Sequence, residues 1–276
     1  MEPSYINIKG RLRPLSPAWV LGIVNVTPDS FWEGSRTFTA AEVDARIAAI
    51  RDAGATGVDI GGYSTRPGAD EVTPEEEYRR LSVGLESVRR LWPEAVVSVD
   101  TFRADVARRC VLEWGADIIN DISGGDMDPD MFATVADTGA AYVLMHTRGT
   151  PQTMTTMCDY ADVTAEVISD LAHKASRLAL LGVRDILIDP GFGFAKDVAQ
   201  NYELMRHLED FAAMGYPLFV GISRKSMIYK PLGLTPADSL PGTVALNAYA
   251  LEHGASILRV HDVPEALQTV KIMSYV

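Results

Sequence analysis

Cysteine is scarce: two residues, Cys110 and Cys158, in a chain of 276. Their separation is not a metal-ligand spacing, and they read as small core or surface residues of a reduced compartment. Basic residues are outnumbered, 25 against 37 acidic, and the net charge of −12 argues against generic nucleic-acid binding. It leaves an anionic substrate open, because phosphate recognition is decided by local groups. No apolar run approaches the roughly 18 residues of a membrane helix. Met1-Glu2-Pro3-Ser4 lacks the basic region and apolar stretch that open a signal peptide. A dinucleotide-type glycine fingerprint is also missing, as are linkers and low-complexity stretches. The expectation is a cytoplasmic protein with neither nucleic-acid nor membrane partners.

What is present is an ordinary globular balance, 47% hydrophobic and 22% charged, over a length that suits one domain spanning 1–276. Residues 5–15 alternate apolar and polar groups and predict a small hairpin closing the N-terminal end of whatever follows. The apolar run at 19–24 then ends abruptly in Asn25, Thr27, Asp29 and Ser30, with Pro28 stopping the strand. Similar buried-type strands recur at 57–61, 95–100, 117–121, 140–146, 185–189, 218–222 and 257–260. Between them lie amphipathic helices. Thr39 and Glu42 form a capping box, and Thr73-Pro74-Glu75-Glu76 supplies a cap, an N1 proline and acids. Helices are expected at about 39–53, 103–114, 162–181, 198–214 and 241–253, with others opening near 73, 129 and 264. Eight such units read as a (β/α)8 TIM barrel in preference to a doubly wound open sheet.

In such a barrel every strand delivers its C-terminal residues to one mouth. The groups collected there are Asn25, Thr27 and Asp29; Ser64, Thr65 and Arg66; Asp100; Asn120 and Asp121; His146; Asp189; Ser223 and Lys225; Arg259 and His261. Any one of them is as readily a helix cap or a loop hydrogen bond. Gathered at one mouth they favour a binding site, because buried charges persist only when paired or used. Asp100, Asn120, Asp189 and Lys225 suit the donor and acceptor edge of a flat heterocycle. Arg66, Arg259, His261, Thr65 and Asn25 suit a phosphate or diphosphate. For Arg259 the plainer reading is a salt bridge to a barrel carboxylate such as Asp100, and for Lys225 a solvated loop charge.

The stretches Gly22-Ile23-Val24-Asn25-Val26-Thr27-Pro28-Asp29-Ser30-Phe31, Ser64-Thr65-Arg66-Pro67-Gly68, Ser98-Val99-Asp100-Thr101, Ile119-Asn120-Asp121-Ile122-Ser123-Gly124-Gly125, Met145-His146, Asp189-Pro190-Gly191-Phe192-Gly193-Phe194, Ser223-Arg224-Lys225-Ser226 and Arg259-Val260-His261-Asp262-Val263 closely resemble the dihydropteroate synthase family. The resemblance covers nearly the whole chain, in order. It implies a transferase of folate biosynthesis that joins 4-aminobenzoate to (7,8-dihydropterin-6-yl)methyl diphosphate, giving 7,8-dihydropteroate and diphosphate. It further implies Mg²⁺ as cofactor, a homodimer and sensitivity to sulfonamides. Mapped onto matching positions, Asp100, Asn120, Asp189 and Lys225 hold the pterin and Met145 lines its slot. Asn25 contacts Mg²⁺ and the diphosphate, which Thr65, Arg66, Arg259 and His261 also hold. Phe31, Pro67, Phe194 and Ser223 shape the aminobenzoate pocket. Asp100, Asp189, Lys225 and Arg66 are the expected catalytic set.

Three departures lie beside these motifs: Tyr63 where many members carry Glu, Trp32-Glu33-Gly34, and Ala195-Lys196-Asp197. Two rivals stay open on the sequence. One is a methyltransferase-like barrel that binds a finished folate or pterin; the other is a catalytically inert pterin-binding homologue. Helix six carries a wide apolar face, Tyr202, Leu204, Met205, Leu208 and Phe211, which fits either a dimer contact or a barrel-facing stripe.

Overall fold

The computed structural model describes residues 4–27, 39–64 and 71–276. The expected roles of Phe31, Thr65, Arg66 and Pro67 fall outside the described residues, as does the departure at Trp32. The apolar runs become eight parallel strands: β3 (Trp19–Asn25), β4 (Gly57–Gly61), β5 (Val96–Asp100), β6 (Ile118–Asp121), β7 (Ala141–Met145), β8 (Ile186–Asp189), β9 (Leu218–Val220) and β10 (Ala255–Val260). They close in the order β10-β3-β4-β5-β6-β7-β8-β9, the expected barrel. The helices are α1 (Ala40–Ala53), α2 (Pro74–Leu91), α3 (Ala104–Trp114), α4 (Met131–Thr138), α5 (Val163–Leu180), α6 (Val198–Arg206), α7 (Ser226–Tyr229), α8 (Leu240–Glu252) and α9 (Val263–Met273).

Strand residues alternate between the two faces of the wall. Val20, Val24, Val58, Ile60, Val97 and Val99 face outward and pack with helix residues in the larger apolar cluster. Trp19, Leu21, Val96, Ile118, Val143, Leu187, Phe219 and Ile257 face inward and make the barrel floor. Ile6, Ile8 and Leu15 join that floor from the antiparallel hairpin of β1 (Tyr5–Ile8) and β2 (Arg11–Pro14). The hairpin therefore stoppers the N-terminal end, as its alternation predicts. One layer up, the inward positions turn polar: Asn25, Asp100, Asn120, Asp189 and Arg259 each follow a floor or near-floor residue by two or four places. The buried floor closes the barrel interior below these polar groups, which face the C-terminal end.

Some details differ from the sequence expectation. The helix expected over 198–214 ends at Arg206, because His207 leaves helical backbone angles (φ −104°, ψ 22°). Its ring contacts Asp210 at 3.0 Å, and Leu208–Met214 continue as a 3-10 helix. Leu204, Met205, Leu208 and Phe211 are buried, so the apolar face of this segment is the barrel-facing stripe. A short helix, α7, on which the sequence raises no expectation, precedes α8. No helix among the described residues is long and apolar enough to cross a membrane.

Candidate active site

At the C-terminal mouth lies a cavity of about 250 Å³. Asn25, Asp100, Asn120, Met145, Asp189, Phe194, Ser223, Lys225, Arg259 and His261 all line it, so the described residues to which the family resemblance gives roles meet here. Thr27, Tyr63 and Ser64 complete the rim toward the first two loops. Asp121 does not belong to it. Its position on β6 faces the outer layer, where its carboxylate accepts from Tyr142 Oη, Ser123 Oγ and the amides of Ser123 and Gly125. His146 is likewise buried behind the wall and bonded to Lys196.

The charges of the cavity are arranged around Arg259. Its Nε donates to Asp59 Oδ2 at 2.5 Å and its Nη2 to Asp100 Oδ2 at 2.9 Å. The salt bridge weighed in the sequence reading therefore exists, and it sits inside the cavity. Asp59 was missed by that reading, which searched strand ends. It occupies the middle of β4, opposite Ser98, at an inward position. The available signal was an acid inside an otherwise apolar strand. Its Oδ1 accepts from Ser98 Oγ at 2.5 Å, and both oxygens lie within 3.4 Å of Asn120 Nδ2. A carboxylate can only accept, so the amide nitrogen of Asn120 must face Asp59 and its oxygen is left for a ligand.

Burial pushes the Asp100 carboxyl up to about 7, against the pull of the Arg259 guanidinium. Asp189 is also raised by burial, opposed by Lys225, by the Gly191 amide at 2.7 Å and by Lys196. Lys225 is pushed down to about 8 by burial. Its Nζ donates to Phe192 O at 2.5 Å and lies 4.6 Å from the Phe194 ring centre, so it is a cavity group and not a solvated loop charge. His261 is held down to about 4 by burial and by Arg259. It is therefore a neutral imidazole at neutral pH, and its Nδ1 is 3.0 Å from Ser223 Oγ.

Arg224, beside Lys225, turns away to Asp262 through two 2.8 Å bonds and binds the carbonyls of Pro236 and Ala237. Its left-handed backbone (φ 57°) places Lys225 at the start of α7 with the amine toward the barrel. Phe102, Ile122 and Met145 form an apolar wall against which Tyr63 and Phe194 pack. Tyr63 meets Phe102 edge-on at 5.2 Å, with the Arg103 guanidinium 5.3 Å above its ring. A polar end and an apolar wall suit a flat heterocycle carrying donors and acceptors on its edge.

Residues 21–261 match the pterin binding enzyme family. The chain is 39% identical over 267 residues to the dihydropteroate synthase of Escherichia coli strain K12, covering 96% of this chain and 94% of that protein. The chain belongs to the dihydropteroate synthase family. It is also 40% identical to the dihydropteroate synthase of a Synechocystis strain, covering 92% and 88% of the two chains. Against a probable bifunctional folylpolyglutamate synthase/dihydropteroate synthase of Haloferax volcanii it is 42% identical, but spans only 30% of that longer protein. The crystal structure of Yersinia pestis dihydropteroate synthase in a sulfonamide drug complex superposes with a TM-score of 0.91 at 36% identity, over 99% and 98% of the chains. Xanthomonas albilineans dihydropteroate synthase in complex with 7,8-dihydropteroate gives 0.86 at 34%, over 99% and 98%.

A Mg²⁺ ion has little to bind on the protein alone. Among the described residues no three His, Cys, Asp or Glu side chains gather as a metal site. Asn25, partly buried on the cavity wall, offers one neutral amide oxygen. That donor set fits a hard cation brought in largely by diphosphate oxygens and water, not one held in a protein cage.

Proposed function

We propose that this cavity is the pterin slot of a dihydropteroate synthase. Asp100, Asn120, Asp189 and Lys225 hold the heterocycle edge, and the wall of Met145, Ile122 and Phe194 holds its face. The chain is a transferase of folate biosynthesis, condensing 4-aminobenzoate with (7,8-dihydropterin-6-yl)methyl diphosphate. One observation carries the reading: Asp59 takes the Asn120 amide nitrogen, leaving its oxygen for the cavity that carboxylates from the ends of β5 and β8 and a lysine just before α7 also line. Carboxylates and an amide oxygen accept from amino and ring N–H groups, and Lys225 donates to the ring carbonyl.

The chemistry needs no covalent intermediate on the protein. The bond between the pterin methylene carbon and the diphosphate oxygen breaks, the amine nitrogen of 4-aminobenzoate bonds to that carbon, and its proton is lost. Asp100 and Asp189 stabilise the positive charge that develops on the methylene and the ring. Thr65, Arg66, Arg259 and the ring N–H of His261 receive the diphosphate. Asn25 would hold Mg²⁺, whose charge when bound neutralises oxygens of the leaving group. Phe31, Pro67, Phe194 and Ser223 border the arylamine, the place where sulfonamides would compete. A pterin-only or folate-only barrel has no use for the cationic and N–H groups on the diphosphate side, and this favours the synthase over both rivals.

The assembly proposed is a homodimer in the cytoplasm. Support comes from α8, whose partly exposed Leu240, Val244, Leu246, Ala248 and Leu251 leave it without a polar side, from exposed Leu232 and Leu234 just before it, and from exposed Ile272 on α9, which packs against it. Sedimentation at micromolar concentration should show two chains; a monomer removes the proposal. The functional reading is tested by calorimetry. A dihydropterin should bind alone, and 4-aminobenzoate should bind measurably only once pterin and diphosphate with Mg²⁺ are present. Failure of the dihydropterin to bind would overturn the assignment.

A further inference from the structure

Lys196, between β8 and α6, is 7% exposed and is not among the residues lining the cavity. Its Nζ lies 2.9 Å from His146 Nδ1, 3.0 Å from Phe194 O and 3.1 Å from Gly191 O. As an ammonium Lys196 donates to these three, with His146 O a further 3.4 Å neighbour, and His146 is then a neutral imidazole that accepts at Nδ1 and carries its proton on Nε2, whereas a neutral amine would accept from an Nδ1–H. Burial and the adjacent Lys196 charge agree with that, holding the ring down to about 2.

The loop pinned in this way builds one side of the cavity. Gly191 donates its amide to Asp189, and its carbonyl is taken by Lys196. A Cβ on Gly191 would stand 1.9 Å from His146 O, so the loop is already pressed against the end of β7. Phe192 O receives Lys225, and the Phe194 ring lies under it. Loosening the loop would thus move the partners of both Asp189 and Lys225.

We infer that Lys196 is a positioning residue for the heterocycle-binding edge: as an ammonium it ties the β8–α6 loop, whose Gly191 amide holds Asp189 and whose Phe192 carbonyl holds Lys225, to His146. The inference rests on the reading of the cavity as a pterin slot. The charged and titratable groups around Lys196 are Asp189 at the end of β8, Lys225 beyond β9, His146 after β7, and Arg148 and Cys158 in the segment between β7 and α5. Around Asp189 the opposing charges are Lys225, Lys196 and Arg259. Burial raises Asp189 and these cations resist the rise. Without the Lys196 charge, Asp189 keeps its proton to higher pH, and pterin affinity is lost earlier as the pH falls. Lys196 is itself pushed down to about 7 by burial, with Asp189 opposing, so its own tie weakens on the alkaline side.

The test is the affinity of 7,8-dihydropterin, without diphosphate, from pH 5 to 9 for the parent, Lys196→Met and Lys196→Arg, with thermal melts confirming folding. At pH 7 the Met variant should bind about ten-fold more weakly, the scale of one charge-assisted contact. Its acid limb should lie at higher pH than the parent's, and Lys196→Arg should restore that limb. A general loss of structure would lower affinity at all pH values and leave the limb in place, which counts against the inference. Parent and Met curves that coincide also overturn it. If Lys196→Met does not fold, Lys196→Gln makes the same charge comparison. Nitrogen NMR of the parent decides independently of any variant: His146 should remain unprotonated at Nδ1 down to pH 5, and an imidazolium there contradicts the scheme. If the parent itself fails to bind the dihydropterin, the pterin reading falls, and not this inference alone.

Discussion

The guanidinium of Arg259 lies 2.5 Å from the carboxylate of Asp59, a side chain with no exposed surface at the middle of strand β4. The same carboxylate receives Ser98 and Asn120, and the other end of the guanidinium reaches Asp100. Asp59 thus sits one layer beneath the cavity and sets the orientation of two side chains that line it, Asn120 and Arg259. Arg259 is shared by two carboxylates, Asp59 and Asp100.

Asp59→Asn should strip Arg259 of its buried partner and let the Asn120 amide reverse. Removing one member of a buried pair costs about 3 kcal/mol or more, and pterin affinity should fall with it. Urea unfolding and calorimetry together check this. An unchanged midpoint with parental binding would remove Asp59 from the account.

Asp100→Asn should separate stability from binding. Burial lifts Asp100 to about 7 in the fold, against an ordinary value of 3.8. Between those values the native state holds a proton that the unfolded chain has lost, so this group makes stability decline as pH rises through the window. Without ligand, the Asn variant should therefore show a weaker decline and melt higher than the parent at pH 8, while its pterin affinity drops. A variant that melts lower at pH 8 would contradict the sign.

Lys225→Met removes the donor to the ring carbonyl while keeping most of the apolar stem over Phe194. The loss of a hydrogen bond to a charged group, about 2 kcal/mol, predicts roughly thirty-fold weaker dihydropterin binding with little change in folding. Parental affinity in this variant would place the heterocycle elsewhere.

Ala195 adopts a left-handed backbone (φ 48°), where an L side chain crowds its own carbonyl. It belongs to one of the three departures noted in the sequence. Ala195→Gly should relieve about 1 kcal/mol of strain, part of which is lost to the freer unfolded chain. A small rise in melting temperature is expected, and a fall of several degrees would show that the buried methyl matters more.

The barrel was legible because buried parallel strands are short apolar runs, and the residues that end them are the site. Asp100, Asn120, Asp189 and Arg259 could be found by that rule alone. Asp59 could not, because it interrupts a strand instead of ending it; an acid at an inward position of an otherwise apolar strand is what marks it. The rule also collected Asp121, which lies one residue out of phase and faces Tyr142. Protonation was not legible either: His261 is sequence-identical to a phosphate-binding cation, and only its burial beside Arg259 makes it neutral. The break at His207 turns on local backbone angles that periodicity does not record.

The most direct test of the central claim is diphosphate release by the purified chain, followed with a coupled assay in Mg²⁺. The account predicts release at an appreciable rate only when (7,8-dihydropterin-6-yl)methyl diphosphate and 4-aminobenzoate are both present, with 7,8-dihydropteroate formed in equal amount. Tight pterin binding without diphosphate release in the presence of both substrates would contradict it.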